Sequence, residues 1–255
     1  SAPSVISYRQ KYSVTVSAAF NRDPSVEPVW DGVIASAFDQ GKGTEDDPYL
    51  IHDGEELAYL AKLCNENCEQ TKGKYYKVVE DIYLNEDVLN SEFELRGTPE
   101  TRWTPIGTES NYFQGVFDGN YHTIHGLYTG SYDDTSLQYG GLFGVTGNAT
   151  IKNVGLVDSY VDGYYTGAIV AWMGNNGASR VQNCYTSAAV RGSQVSAAIA
   201  GYVYGNCVVE NCYASGRNFS SYRSTGLICM LYSGAIVRNC FSAVNAQYLI
   251  TAFSG

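Results

Sequence analysis

One four-residue phrase comes back four times and limits what this chain can fold into. It reads Ile151-Lys152-Asn153-Val154, then Val181-Gln182-Asn183-Cys184, Val209-Glu210-Asn211-Cys212 and Val237-Arg238-Asn239-Cys240. The asparagines stand 30, 28 and 28 residues apart. A second phrase keeps step with it: Gly141-Leu142-Phe143-Gly144, Gly167-Ala168-Ile169-Val170, Ala197-Ala198-Ile199-Ala200 and Gly226-Leu227-Ile228-Cys229. Two signals locked to one period mean a repeat architecture.

Within each repeat, β-branched and polar residues alternate over short runs separated by glycine or asparagine, the period of strands rather than helices. Twenty-eight residues hold about three strands of roughly five residues with their turns. The economical solution is a coil that closes and stacks on the next, with equivalent residues about 4.8 Å apart. One asparagine per coil can take the left-handed conformation at a bend. Its amide can then bond the coil below, forming a ladder through Asn153, Asn183, Asn211 and Asn239. Leucine-rich repeats share the period and the asparagine, but these coils hold little leucine and no helical half. A propeller blade needs about 40 residues. The sequence therefore predicts an all-β, right-handed parallel β-helix.

Cysteine follows the asparagine at 184, 212 and 240, where the first coil has Val154, so it reads as a small buried hydrophobe. Stacked thiols supply a row of ligands, not a tetrahedron, and CxxC spacing is absent, so no metal is assigned and no cofactor either. Tyr185, Tyr213 and Phe241 come next, as an aromatic stack between coils. Seven cysteines is an odd number, leaving at least one unpaired. Cys64 and Cys68 could form a local bridge, and the other five fall inside the coils.

A net charge of −10 argues against nucleic acid, which needs a basic surface, and against an anionic lipid surface. Few charges beside 22 tyrosines and 27 glycines suit an extracellular β-protein. No signal peptide and no apolar run of ~18 residues is present.

Three segments are expected: a strand or tether over 1–29, a cap with the first coil over 30–84, and the solenoid over 85–255. Tyr12 to Ser17 alternates as a strand. Asp53 and Glu56 form a capping box before a helix at about 54–65, with Leu57, Leu60, Ala61 and Cys64 on one face. Such a helix plugs the open end of a solenoid. Tyr75–Val79 and Ile82–Leu84 read as strands, and residues 85–102 loop out. Ile124 lies 27 residues before Ile151, which places Gly126 in the asparagine column. At the far end Thr251-Ala252-Phe253 aligns with Thr225-Gly226-Leu227, and the open coil edge calls for a cap, a further domain or a partner.

Trp103-Thr104-Pro105-Ile106-Gly107, Phe117-Asp118-Gly119-Asn120, His122-Thr123-Ile124 and Gly141-Leu142-Phe143-Gly144 resemble the GLUG-motif proteins. The leader from Gly43 to Ile51, with Glu56 to Ala61, is similar to the N-terminal part that such proteins carry. The likeness covers roughly residues 30–245 and loosens after residue 144, where the glycine-leucine-aromatic-glycine phrase is incomplete. It implies a secreted or surface β-helix of Bacteroidetes or Firmicutes type, generally assigned to adhesion. GLUG repeats also neighbour the protease domain of some immunoglobulin-cleaving metallopeptidases, whose HExxH is absent here.

For chemistry, β-helical polysaccharide lyases and hydrolases use clustered carboxylates. The candidates are Asp118, Asp158, Asp162 and Glu210, with Asp158 and Asp162 the weak catalytic pair. Glu210 aligns with Lys152, Gln182 and Arg238, a column of both signs that reads as a solvated face. The tyrosines lead better. Tyr160, Tyr164, Tyr165, Tyr202 and Tyr204, with Tyr222 and Tyr232, gather at the bends, where rings can stack on sugars and hydroxyls can bond them. Packing between coils is the plainer reading of any single ring. The sequence thus predicts an adhesin-like scaffold binding glycan or a surface protein, with a polysaccharide-active enzyme or a structural stalk as alternatives.

Overall fold

The computed structural model describes residues 28–130, 137–232, 234–246 and 248–252, without the side chains of 248–252. The chain winds into a three-sided parallel β-helix. The first sheet stacks seven strands in the order Tyr49–Ile51, Tyr75–Val78, Val116–Asp118, Thr150–Lys152, Arg180–Gln182, Val208–Glu210 and Ile236–Arg238. A second sheet runs from Ile82–Tyr83 through Thr123–His125, Gly155–Val161, Tyr185–Val190 and Tyr213–Asn218 to Phe241–Ser242. The third has two arms. One holds Tyr139–Gly140, Tyr165–Gly167 and Val195–Ala197, and the other Phe143–Thr146, Val170–Met173 and Ala200–Val203. The long strand Ser224–Leu231 joins both arms.

The asparagine file is present. Each amide donates to the one below: Asn183 Nδ2 to Asn153 Oδ1 at 3.0 Å, Asn211 to Asn183 at 3.1 Å, Asn239 to Asn211 at 3.2 Å. All four residues have φ of 54–55°, left-handed geometry that asparagine tolerates. The file starts on Asp118, whose Oδ1 accepts from Asn153 Nδ2 at 2.9 Å. A carboxylate accepts without donating, so it ends a chain of donors correctly. Burial pushes the Asp118 carboxyl up. Hydrogen bonds from Asn153, the Asn120 N–H and Lys152 outweigh it and leave the group below its ordinary range.

Three alignments made by constant period fail here. Phe117, not Ile124, stands under Ile151, and Ile124 pairs with Leu156. Gly119 rather than Gly126 therefore precedes Asn153 in its column. The reason is turn length: residues 119–122 separate the strands of that coil, where later coils use only two, such as Asn153-Val154. In the last coil Ile228, not Cys229, stands over Ala200, and Thr225 faces Tyr248 and not Thr251. Cys229 consequently turns to the outer face.

The core is a single file of apolar side chains running the length of the solenoid. Tyr76, Phe113, Phe143 and Phe117 interlock within it at centroid distances of 5.9, 5.0 and 5.3 Å. Val154, Cys184 and Cys212 are buried in the column that follows the asparagines, as a small hydrophobe would be. Burial pushes the Cys64 thiol up to about 12, and its Sγ faces the Asn111 carbonyl at 3.5 Å. Cys64 and Cys68 are free thiols, not a bridge, because the buried helix face points one into the core and leaves the other outside it.

The helix, Gly54–Glu66, closes the first coil with Leu57, Leu60, Ala61 and Cys64 buried. Asp53 caps it by accepting from Glu56 N at 3.0 Å. The capping box is only half formed. Glu56 turns instead to the His52 N–H and ring and to the Asp39 N–H, tying the entering chain to the helix. Val29 forms a parallel bridge to Tyr83. The strand expected at Tyr12–Ser17 lies outside the described residues. Among the described residues no helix is long and apolar enough to cross a membrane.

Candidate functional site

The site follows from how the two arms of the third sheet meet. Between them lies the bend Gly167-Ala168-Ile169. A Cβ on Gly167 would sit 2.1 Å from the Val170 carbonyl oxygen and 2.4 Å from Gly201 N, so no side chain fits there. Ala168, Ile169 and Val170 turn into the core. The outer faces of the arms converge across this fold, and their outward positions carry aromatic rings.

Register fixes two outward columns. Tyr139 pairs with Tyr165, which pairs with Val195, and Arg223 follows one residue before the Ser196–Ser224 pair. On the other arm Val145, Trp172, Tyr202 and Met230 stand in line. The rings bridge the columns. Tyr139 stacks on Tyr165 at 5.7 Å and meets Trp172 at the same distance, while Tyr165 meets Tyr202 edge-on at 5.6 Å. Tyr202 lies 5.9 Å from Trp172 and stacks on Tyr232 at 5.2 Å. Tyr164 and Tyr204 flank the strip at 4.8 Å from Tyr165 and 5.6 Å from Tyr232.

Beneath the rings, Val145, Ala171, Val195, Ala197 and Cys229 are fully buried although they lie outside the coil core. The rings cover them; Tyr139 is itself buried, and the rings after it keep part of their surface in solvent. Tyr164 is 39 % and Tyr204 55 % exposed, while Tyr165, Trp172, Tyr202 and Tyr232 are half-buried. The Tyr202 and Tyr232 hydroxyls are 2.7 Å apart. Burial and that hydrogen bond push the Tyr202 phenol well above its usual value, so it stays neutral. Tyr139 donates to Glu109 Oε2 at 2.9 Å, and burial followed by that bond raises its phenol too.

The tyrosines singled out by sequence divide cleanly. Tyr164, Tyr165, Tyr202 and Tyr204 share the strip. Tyr160 does not: it lies on the second sheet, buried against Tyr128, Val88 and Leu89. Sequence reading left Tyr139 and Trp172 out, although each stands at an outward position fixed by the same strand alternation as Tyr165 and Tyr202. Tyr185, Tyr213 and Phe241 stand in register and exposed on the second sheet, where the Tyr213 and Phe241 rings stack at 5.7 Å.

Asp158 occupies the extra position of a β-bulge, between Val157 opposite Ser187 and Ser159 opposite Ala188, with φ of 47°. The bulge turns its carboxylate outward onto the segment 85–102, accepting from Val88 N at 3.0 Å and Leu89 N at 2.9 Å. That segment, expected to loop away, packs Val88 and Leu89 onto Tyr128 and Tyr160. Asp162 is buried, and its Oδ1 accepts from Gly163 N at 2.7 Å. The two carboxylates thus hold backbone. The Glu210 column is ion-paired along the stack, with Arg180 and Arg238 on Glu210 and Lys152 on Asp118.

No family model matches the chain. A protein of Evansella cellulosilytica provisionally named a Gly-rich membrane protein is 35 % identical over 144 residues, 56 % of this chain and 15 % of that protein. The crystal structure of a protein from Bacteroides ovatus, provisionally an immunoglobulin A1 protease, superposes with a TM-score of 0.62. It is 22 % identical, over 84 % of this chain and 62 % of that one. The likeness is one of fold. The chain spans under two thirds of either protein.

Proposed function

We propose that this chain is a GLUG-type coil stack of a cell-surface or secreted protein, and that its aromatic strip binds carbohydrate. The observation that carries the reading is the convergence of Tyr139, Tyr165, Trp172, Tyr202 and Tyr232 in one continuous strip of ring contacts on the outer face. Half-buried rings are already ordered, so a sugar stacking on them loses little freedom. Strands repeat every ~4.8 Å, close to the length of one pyranose in a chain, so successive coils can offer successive subsites. The membrane and protease names of the two similar proteins support a place at the cell envelope.

The test is a glycan array with the parent chain and a Tyr165→Ala plus Tyr202→Ala variant. Each ring contributes about 0.5–1.5 kcal/mol beyond burial, so affinity should fall about 5- to 150-fold. A Tyr185→Ala plus Tyr213→Ala control on the second sheet should bind like the parent. No binding by the parent, or equal loss in the control, refutes the strip as the site.

A further inference from the structure

The strip has two different ends, and the difference points to a class of sugar. At the first end stands Glu109, exposed and accepting from the Tyr139 hydroxyl. At the other stands Arg223, at the end of the column that begins with Tyr139 and runs through Tyr165 and Val195. Three strand steps, about 14 Å, separate Tyr139, which holds Glu109, from Arg223.

Arg223 is held in place. Its φ is 47°, in the left-handed region that a long side chain seldom adopts. Its carbonyl accepts from Ser196 N at 3.3 Å and from Cys229 Sγ at 2.9 Å, which fixes the backbone from two sides. The guanidinium lies over the Tyr222 ring at 5.0 Å and donates Nη1 to Met230 Sδ at 3.8 Å. Met230 is the outward neighbour of Tyr202, so the cation is anchored against the aromatic strip and not cast into solvent. A strained residue held by its surroundings is a pointer to function.

We propose that the strip binds an oligosaccharide carrying an anionic residue, with that residue at the Arg223 end. The inference rests on the carbohydrate reading above and narrows it. A guanidinium fork matches a carboxylate with two parallel hydrogen bonds and also serves a sulfate ester. Glu109, at the opposite end, accepts from neutral hydroxyls and repels an anion, so it sets the direction of the chain. The net charge of −10 makes the anion's recognition a local matter, since exposed charges beyond about 10 Å are screened at 0.1 M salt.

The experiment is a calorimetric titration of the parent chain and two variants with three matched short oligosaccharides. One is neutral, one ends in a uronic acid, and one ends in a sulfated sugar. The parent should prefer an acidic ligand to the neutral one by about tenfold or more, in keeping with a charge-assisted bond. The arm that wins identifies the anion as carboxylate or sulfate. Arg223→Gln should abolish the preference by bringing acidic binding down to the level of the neutral ligand, and Arg223→Lys should retain part of it. About 1 M salt, where screening reaches ~3 Å, should reduce acidic binding and spare neutral binding. Equal binding of neutral and acidic ligands by the parent overturns the anion assignment and leaves the carbohydrate reading standing. Absence of binding by all three overturns both. Should the glutamine variant fail to fold, the lysine variant and the salt arm still decide.

Discussion

Phe143→Ala is expected to lower the unfolding free energy by about 3–5 kcal/mol, the cost of truncating a buried aromatic side chain. Phe143 has no solvent exposure and sits at the crossing of two ring contacts, to Phe113 at 5.0 Å and Phe117 at 5.3 Å. It also links three coils. Ile106 bridges to it from below, and its N–H donates to the Ile169 carbonyl above. The surrounding backbone is fixed by ladder bonds in every sheet, so the cavity cannot collapse fully and the upper part of the range applies. Because coils contact only their neighbours, the loss should fall first on the N-terminal coils. Urea unfolding followed by circular dichroism measures it, with Tyr204→Ala as a surface control expected within about 0.5 kcal/mol of the parent. A Phe143→Ala loss under 1 kcal/mol would mean that the core is not packed as described.

The second large effect is Asp158→Ala, expected to cost about 2–4 kcal/mol. It removes the acceptor of the Val88 and Leu89 N–H groups, which are partly buried, and an unmet donor costs about 1–3 kcal/mol where water cannot replace the partner. It also asks alanine to hold a left-handed φ of 47°. The segment 85–102 should then detach from Tyr128 and Tyr160 and become open to limited proteolysis. A segment as resistant as the parent's contradicts the proposed role.

The pH dependence has a definite sign. Burial raises the Asp158 carboxyl against the pull of its two backbone hydrogen bonds. The folded state therefore holds the proton more tightly than the unfolded one. Its contribution is greatest below the ordinary value of about 3.9 and declines as pH rises through the raised folded value. Asp158→Asn, which cannot ionise, should lack that decline and so gain on the parent as pH rises.

Much of the architecture was legible because one residue type does one job in every coil. Asn153, Asn183, Asn211 and Asn239 need a left-handed bend and a neighbour's amide, and both requirements show in the period. What the period could not show is where the count changes. Residues 119–122 lengthen one turn and shift Ile124 off Ile151. Asp158 is an extra residue, recognisable only against Ser187 and Ala188 of the next strand. Its carboxylate thereby faces a loop 70 residues away in sequence.

The aromatic strip was half legible. Tyrosine richness pointed to Tyr164, Tyr165, Tyr202 and Tyr204 but swept in Tyr160, because composition does not distinguish one sheet from another. Tyr139 and Trp172 were within reach of period-2 counting from the glycine bends. Arg223 was not, since its place beside the rings depends on the register of Ser224 with Ser196 and on the one-residue shift that turns Cys229 outward.

The most direct measurement is a crystal of this chain soaked with a short oligosaccharide that binds it in solution. Sugar rings lying on Tyr165, Tyr202 and Tyr232, with Trp172 beneath and the chain running along the coil stack, is the predicted result. Ordered sugar on another face, with the strip bare, would contradict it.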